Sequence, residues 1–281
     1  MGKPLSILNV GGHPKDCILY AGGTMALHAS RGDRVCMLTP TTGLSHHLEA
    51  IDEYRKTGIM PDMDFLVEGR RQELVDACQE LGISDVRFLG YKDDIPVIEK
   101  QIVNDIADVI GEIQPNIIVT HWPYDTVQAH AMATQMTMLA IEAAACIRPG
   151  KPAPVGGDTG TKAHIFYHSQ QGRTNVLENL AVRIPTTVID ISSVMKQKSR
   201  AMNVMKSQHY GEDSPLQRKL GESLDGDILA IHSRVAYAES FVSHLPQVHK
   251  YLPISEYENE LRARPSDEAF KSWTSMVLDE Y

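Results

Sequence analysis

The sequence predicts an α/β fold, a Rossmann-like and mostly parallel sheet with helices on both faces. Short apolar runs alternate along the chain with amphipathic stretches of ten or more residues, the order in which parallel strands are joined by crossover helices. The run Asn116-Ile117-Ile118-Val119-Thr120 is apolar without alternation, as a strand covered on both faces has to be. Histidines and aspartates fall just after such runs, and in an open α/β sheet the carboxyl ends of the strands are where ligands collect.

Leu5, Ile7 and Val10 mark the first buried strand, and the turn Gly11-Gly12-His13-Pro14-Lys15-Asp16 follows it. A helix is expected over 17–29. Gly22-Gly23 lowers that helix's intrinsic stability by about 1 kcal/mol per glycine relative to alanine, so the pair points to close backbone approach. Arg31-Gly32-Asp33 supplies a glycine stop, and 35–39 form the second strand. Residues 45–68 are polar with broken periodicity and read as a loop containing one short helix. Leu74, Ala77, Cys78 and Leu81 then share one helical face, ended by Gly82. Residues 86–89 give a third strand. Ile102, Ile106, Val109, Ile110 and Ile113 make a helical stripe before Pro115, and 116–120 are the fourth strand. A helix over 128–147, a Pro/Gly-rich loop over 148–161, strands at 164–168 and 187–191 and a helix over 193–208 continue the pattern. The run 228–241 returns to helical spacing, and the charged remainder reads as a C-terminal helix that packs late or meets a partner subunit, the second of which would make a homo-oligomer. Without repeats, low-complexity tracts or a linker, one domain is expected over 1–281, with 209–281 a C-terminal extension packed on it.

Composition narrows the function. A net charge of −9 and a pI near 5.7 argue against a nucleic-acid or anionic-membrane surface, since both reward clustered Lys and Arg. No stretch approaches the roughly 18–20 apolar residues of a membrane span, and the first residues enter a strand without a secretory pattern. Cys17, Cys36, Cys78 and Cys146 are far apart in apolar surroundings, as reduced core cysteines of a cytoplasmic protein would be. A small-molecule substrate is the expected partner. The glycine pairs lack the G-x-G-x-x-G spacing of a dinucleotide site.

The second histidine-bearing stretch is Thr120-His121-Trp122-Pro123-Tyr124-Asp125-Thr126-Val127-Gln128-Ala129-His130. It begins at a strand end and runs into the first turn of the next helix, on the same rim as His13 and Asp16. Two imidazoles and a carboxylate are a suitable donor set for zinc, and three protein ligands leave room for water, as at catalytic zinc sites. His130 is thereby the expected third ligand, with His121 and Asp125 beside or behind it. Asp125 is placed to orient a histidine, as carboxylates do.

These stretches resemble the LmbE-like, or PIG-L, family of zinc-dependent N-deacetylases. The family carries a His-Pro-Asp-Asp-Glu motif after its first strand, a Gly-Gly-Thr helix start and a later Thr-His-x-Pro-x-Asp…Asp-His motif. This chain has His13-Pro14-Lys15-Asp16-Cys17, Gly22-Gly23-Thr24 and Thr120-His121-Trp122-Pro123-Tyr124-Asp125…Ala129-His130. The likeness is detailed over about the first 135 residues and weaker through Val188-Ile189-Asp190-Ile191 and Lys198…Ser207-Gln208. It implies an LmbE-like fold, with His13, Asp16 and His130 in the positions of the three zinc ligands. It also exposes a departure: Lys15 stands where family deacetylases have the aspartate that acts as general base, and an ammonium cannot take up a proton. Ala129 likewise replaces an aspartate. The chain is also similar, in its middle, to the 4-oxalomesaconate hydratase branch, which adds water across a carbon–carbon double bond.

A reaction without that aspartate needs other proton donors and acceptors. Glu49, His121, Asp125 and His168 are the candidate catalytic residues, together with Lys15 as an electrostatic or anion-binding group. His46, His47 and His164 are candidate substrate-binding residues, whereas His209, His232, His244 and His249 carry no spacing argument. The expected activity is zinc-dependent, water-activating hydrolysis of deacetylase type on an N-acyl group of a small polar, sugar-like substrate. The alternative is zinc-dependent hydration of an unsaturated keto or carboxylate substrate.

Overall fold

β1 (Ser6–Val10) pairs in parallel with β2 (Arg34–Thr41) on one side and with β4 (Ile117–Thr120) on the other. The structure is a computed structural model that describes residues 3–94, 97–125, 127–156, 162–168, 186–210, 235 and 237–265. β3 (Asp85–Tyr91) extends the sheet beyond β2, and β5 (His164–His168) extends it beyond β4, both in parallel. β7 (Ala238–Ser243) and β6 (Thr187–Asp190) complete the order β3-β2-β1-β4-β5-β7-β6, with β7 antiparallel to both of its neighbours. The chain thus leaves β1 in one direction for β2 and β3, then returns past it to β4 and β5. That reversal opens a crevice between β1 and β4, the usual ligand position of an open α/β sheet.

Seven α-helices occur among the described residues: α1 (Pro14–Ser30), α2 (Leu48–Thr57), α3 (Met63–Glu80), α4 (Lys100–Ile113), α5 (Gln128–Ala144), α6 (Met195–Asn203) and α7 (Glu256–Ala263). Successive strand residues point to opposite faces, and the core divides accordingly. Ile7, Met37 and Val119 pack with α1, α3 and α6, whereas Leu8, Leu38 and Ile118 pack with α4 and α5. The stripe Ile102, Ile106, Val109, Ile110 and Ile113 on α4 is buried throughout. Each such side chain contributes about 1.5–3 kcal/mol on burial.

Three expectations need correction. Residues 45–68, which read as a loop with one short helix, hold a 3-10 turn (Leu44–His46), all of α2 and the start of α3. α2 buries none of its residues, so no apolar stripe advertises it, and the structure stops it at Gly58 with φ +69°. α3 starts earlier than its apolar face because Asp62 caps it, accepting the Asp64 and Phe65 N–H groups at 3.0 and 3.2 Å. The run 228–241, which reads as helical, ends in β7: residues 238–243 are strand, and most of the rest lies outside the described residues. α7 falls within the expected C-terminal helix; 266–281 and His232 lie outside the described residues. No helix among the described residues is long and apolar enough to cross a membrane.

Candidate metal centre

The centre forms at the carboxyl ends of β1 and β4, on either side of the crevice. After Val10, Gly11 and Gly12 carry the chain close under α5. A side chain on Gly12 would meet the Ala129 carbonyl oxygen at 3.0 Å and the His130 ring at 3.1 Å. His13 takes the extended conformation that precedes α1, and Pro14 opens the helix, where a missing N–H is tolerated. Asp16 Oδ2 accepts the His13 backbone N–H at 2.7 Å and lies 3.0 Å from His13 Nδ1. On the neighbouring strand, His121 follows Thr120, and α5 begins so that His130 falls in its first turn.

His13, Asp16 and His130 each bring one ligand atom within 4.8 Å of the others, and all three are buried. His130 Nε2 stands 3.1 Å from Asp16 Oδ2, and its Nδ1 is 3.0 Å from Asp125 Oδ2. Asp125 is itself fixed by accepting the Val127 N–H at 2.8 Å. A carboxylate behind an imidazole in this way sets the ring's tautomer and direction. His121 stacks on His130 with ring centroids 4.0 Å apart, and accepts the Gly12 N–H at Nε2 at 2.8 Å. Its proton is therefore on Nδ1. His168, at the end of β5, stands edge-on to His121 at 5.0 Å, and the Tyr20 ring closes against His121, His130 and His168.

Charge is distributed unevenly over this group. Burial raises the Asp16 carboxyl, but His130 and His13 overcome it and hold the group well below the usual carboxylate range. Burial lowers His130, yet Asp16 and the Asp125 hydrogen bond outweigh it and lift the imidazole to about 9. His121 has no such support: burial and the neighbouring His130 push it down to about 4. Burial also takes His168 well below the ordinary histidine value. The result is an anionic Asp16 and Asp125 around His130, flanked by two neutral imidazoles. Asp16 Oδ1 is buried with no hydrogen-bond partner among the described residues, so this oxygen is left for something other than the protein. Two imidazoles and a carboxylate, one imidazole held from behind, fit a divalent cation that takes nitrogen and oxygen ligands.

Of the candidate residues read from the sequence, His13, Asp16, His121, Asp125, His130 and His168 are thus brought together. Lys15 is half-buried at the second position of α1. Glu49, a candidate catalytic residue, is exposed in the first turn of α2. His47 is occupied as the cap of α2, its Nδ1 accepting the Ala50 N–H at 3.2 Å, and burial and Arg70 lower its pKa. The His46 side chain lies outside the described atoms. His164 is exposed at the first residue of β5, four residues and about 13 Å along the strand from His168, on the far rim. Alternation puts these two histidines on one face but says nothing about which end of the strand carries the site.

Two supporting residues escape a reading by motif. Arg70, fully buried on α3, donates to the Gly43 carbonyl at 3.0 Å and to Ser207 Oγ at 2.8 Å. Asp93 accepts the Gly43 and Ser45 N–H groups at 2.6 and 2.7 Å. Burial raises its carboxyl, but the Ser45 hydroxyl donating at 2.6 Å, the two N–H groups and the nearby His13 bring it below the usual value. Together they pin the loop after β2 beside the centre. Their only local signal is an arginine and an aspartate of ordinary spacing, because the loop groups they hold are distant in sequence.

Residues 8–141 match the family model described as PIG-L, GlcNAc-PI de-N-acetylase. The chain is similar to a 1D-myo-inositol 2-acetamido-2-deoxy-alpha-D-glucopyranoside deacetylase of Thermomonospora curvata, 33% identical over 49% of this chain and 54% of that protein. It thus spans about half the length of that relative. A 4-oxalmesaconate hydratase of Pseudomonas putida is 27% identical over 86% of this chain and 90% of that protein. Among solved structures, GalB, the 4-carboxy-2-hydroxymuconate hydratase of Pseudomonas putida KT2440, superposes with a TM-score of 0.63 at 25% identity, over 89% of this chain and all of that one. Over residues 8–141 the chain is thus similar to the PIG-L family, and over most of its length to the hydratase relative and to the sheet of GalB.

Proposed function

We propose that this chain is a metal-dependent, water-activating enzyme of the deacetylase type, acting on an N-acyl group of a small polar substrate that contains N-acetylglucosamine. The observation that carries this is the His13–Asp16–His130 cluster, with ligand atoms within 4.8 Å and Asp125 behind His130. Zinc is the ion we assign to these three residues, on the chemistry of the donor set. Bound there, such an ion supplies Lewis acidity, polarising a carbonyl oxygen and making water more acidic. His121, neutral and carrying its proton on Nδ1, serves as a fixed hydrogen-bond donor beside the ligands, and His168 and Tyr20 keep its ring in place. Lys15 supplies positive charge at the mouth, where an oxyanion develops or a substrate carboxylate docks.

A second reading, hydration of an unsaturated keto or carboxylate substrate, is favoured by one specific observation. Lys15 occupies the position of the aspartate base, and the hydratase relative aligns over most of both chains. The two readings separate by experiment. Metal-stripped and zinc-loaded protein are assayed on N-acetylglucosamine conjugates and on unsaturated oxo-acids. Zinc-dependent release of acetate supports the first reading; zinc-dependent loss of the enone absorbance with no acetate formed replaces it with the second. A Lys15→Asp variant is expected to raise acetate release at least tenfold, and an unchanged rate would mean that position 15 does not limit the chemistry.

A further inference from the structure

The metal centre leaves one motif of the sequence unused: Gly22-Gly23-Thr24, in the middle of α1. Glycine weakens a helix interior, so two in a row need a reason in the packing. A β-carbon on Gly23 would lie 2.8 Å from the Ile191 side chain, and one on Gly22 would lie 3.4 Å from Leu81 and 3.7 Å from Lys198 Cγ. Glu239 of β7 meets α1 at the same point. Its Oε1 accepts the Gly23 N–H at 2.8 Å and its Oε2 the Thr24 N–H at 2.7 Å, while Lys198 Nζ of α6 stands 2.8 Å from Oε1.

In a regular α-helix these two N–H groups belong to the carbonyls of Leu19 and Tyr20, four residues back. A carboxylate with both oxygens on them competes with that ladder, and a side chain entering the ladder sets the local direction of a helix. Glu239 is 3% exposed and Lys198 0%, so solvent does not screen the contact. The turns of α1 before this point carry the centre. Asp16 and Tyr20, four residues apart, share one face of the helix. Asp16 Oδ2 lies 3.0 Å from His13 Nδ1 and 3.1 Å from His130 Nε2, and the Tyr20 ring lies 5.7 Å from His121 and 5.4 Å from His168.

We propose that Glu239, charge-paired with Lys198, is a positioning residue of the metal centre. By holding the Gly23 and Thr24 N–H groups it fixes the direction and axial position of the first two turns of α1. Those turns in turn set Asp16 against His13 and His130, and Tyr20 against His121 and His168. Gly23 is seven residues beyond Asp16, roughly 10 Å along the helix, so Glu239 acts through α1 and not by contact with a ligand. The glycines admit Ile191 and Lys198, and residues 23 and 24 present the N–H pair. The consequence for metal binding rests on the reading of His13, Asp16 and His130 as ligands; the consequence for the His121 and His168 rings does not.

Replacing a buried ion pair by apolar side chains of similar volume is often neutral or stabilising, so the pair can be removed without unfolding the chain. Lys198→Met/Glu239→Leu, made in the full chain, returns both N–H groups to the helix ladder. Its urea midpoint, its zinc affinity by chelator competition and the ring NMR signals of His121 and His168 in the metal-free protein are compared with wild type. The variant is expected to unfold cooperatively near the wild-type midpoint, yet to bind zinc about tenfold or more weakly, the loss typical when the support of a metal ligand is removed. Its His121 and His168 signals are expected to shift, because the Tyr20 ring moves relative to both. Lys198→Met/Glu239→Gln keeps one acceptor oxygen and is expected to fall between the two in both readouts; it carries the test alone where the leucine variant does not fold. A folded variant with wild-type zinc affinity, or with His121 and His168 signals unmoved, overturns the proposal and leaves the pair a tie between elements. If the wild-type chain takes up no zinc, the metal reading fails instead, and the imidazole signals alone decide the role of Glu239.

Discussion

Single atoms decide what His130 can do. Its Nδ1 is committed to Asp125, so only Nε2 faces Asp16 and the proposed ion. His130→Ala is expected to abolish stoichiometric zinc uptake, and Asp125→Asn to weaken it about 10–100-fold, measured by calorimetry on chelator-stripped protein. Retention of zinc by His130→Ala would remove this residue from the ligand set. Gly43 is a structural counterpart. It sits at φ +73°, and a β-carbon there would lie 2.6 Å from Arg70 Nη2. Gly43→Ala is expected to lower unfolding free energy by about 2 kcal/mol or more, read from urea denaturation, because the strain and the clash add. Asp33 gives a pH dependence away from the centre. Burial raises its carboxyl, but the Leu5 N–H, His28 and Arg31 overcome this and bring it below the ordinary 3.8. A depressed folded-state value contributes stability above the unfolded value and loses it as pH falls through the folded one. Stability of wild type relative to Asp33→Asn should therefore be flat from pH 7 to about 5 and shrink below pH 4. A constant difference down to pH 2 would mean that the charge on Asp33 is immaterial.

Between elements, a buried ion pair joins Lys198 Nζ on α6 to Glu239 Oε1 on β7, at 2.8 Å. The same carboxylate accepts the Gly23 and Thr24 N–H groups of α1 at 2.8 and 2.7 Å, so three elements meet on it. Lys198→Met removes the ammonium and leaves a buried carboxylate without its counter-charge. A loss of about 3–5 kcal/mol is expected in urea unfolding, with Lys198→Met/Glu239→Gln recovering part of it. Equal losses in single and double variants would argue against a coupled pair. β7 itself illustrates how an element is chosen. The segment before it has helical spacing, yet it fills the gap between β5 and β6 and pairs with both. Ladder bonds on two sides outweigh a local preference of a few tenths of a kcal/mol per residue. α2 is the converse case, a helix with no fully buried residue, whose ends are set by its His47 cap and Gly58 stop.

Across the whole molecule, the position of the centre follows from topology. Parallel strands deliver every loop of the β1–β5 set to one rim, and the reversal at β1 and β4 parts the loops that bear His13 and His130. Because the ion proposed there binds only the folded chain, it links to global stability. Zinc at 100 times its Kd is expected to raise unfolding free energy by about 2.7 kcal/mol, seen as a higher Tm that chelator reverses. An unchanged Tm under both conditions would mean that no ion is held by the native state. The sequence by itself determined the parallel β-α order, the buried stripe of α4 and the two motifs that supply His13, Asp16 and His130. These are local patterns, set by period and by residue type at strand ends. Only the tertiary structure decided that β7 is a strand, that His168 rather than His164 joins the centre, and that Arg70, Asp93, Lys198 and Glu239 are buried parts of the scaffold. Each of these depends on partners 27 to 216 positions away in the chain, and no local pattern carries the free energy of contacts that exist only after the chain has closed on itself.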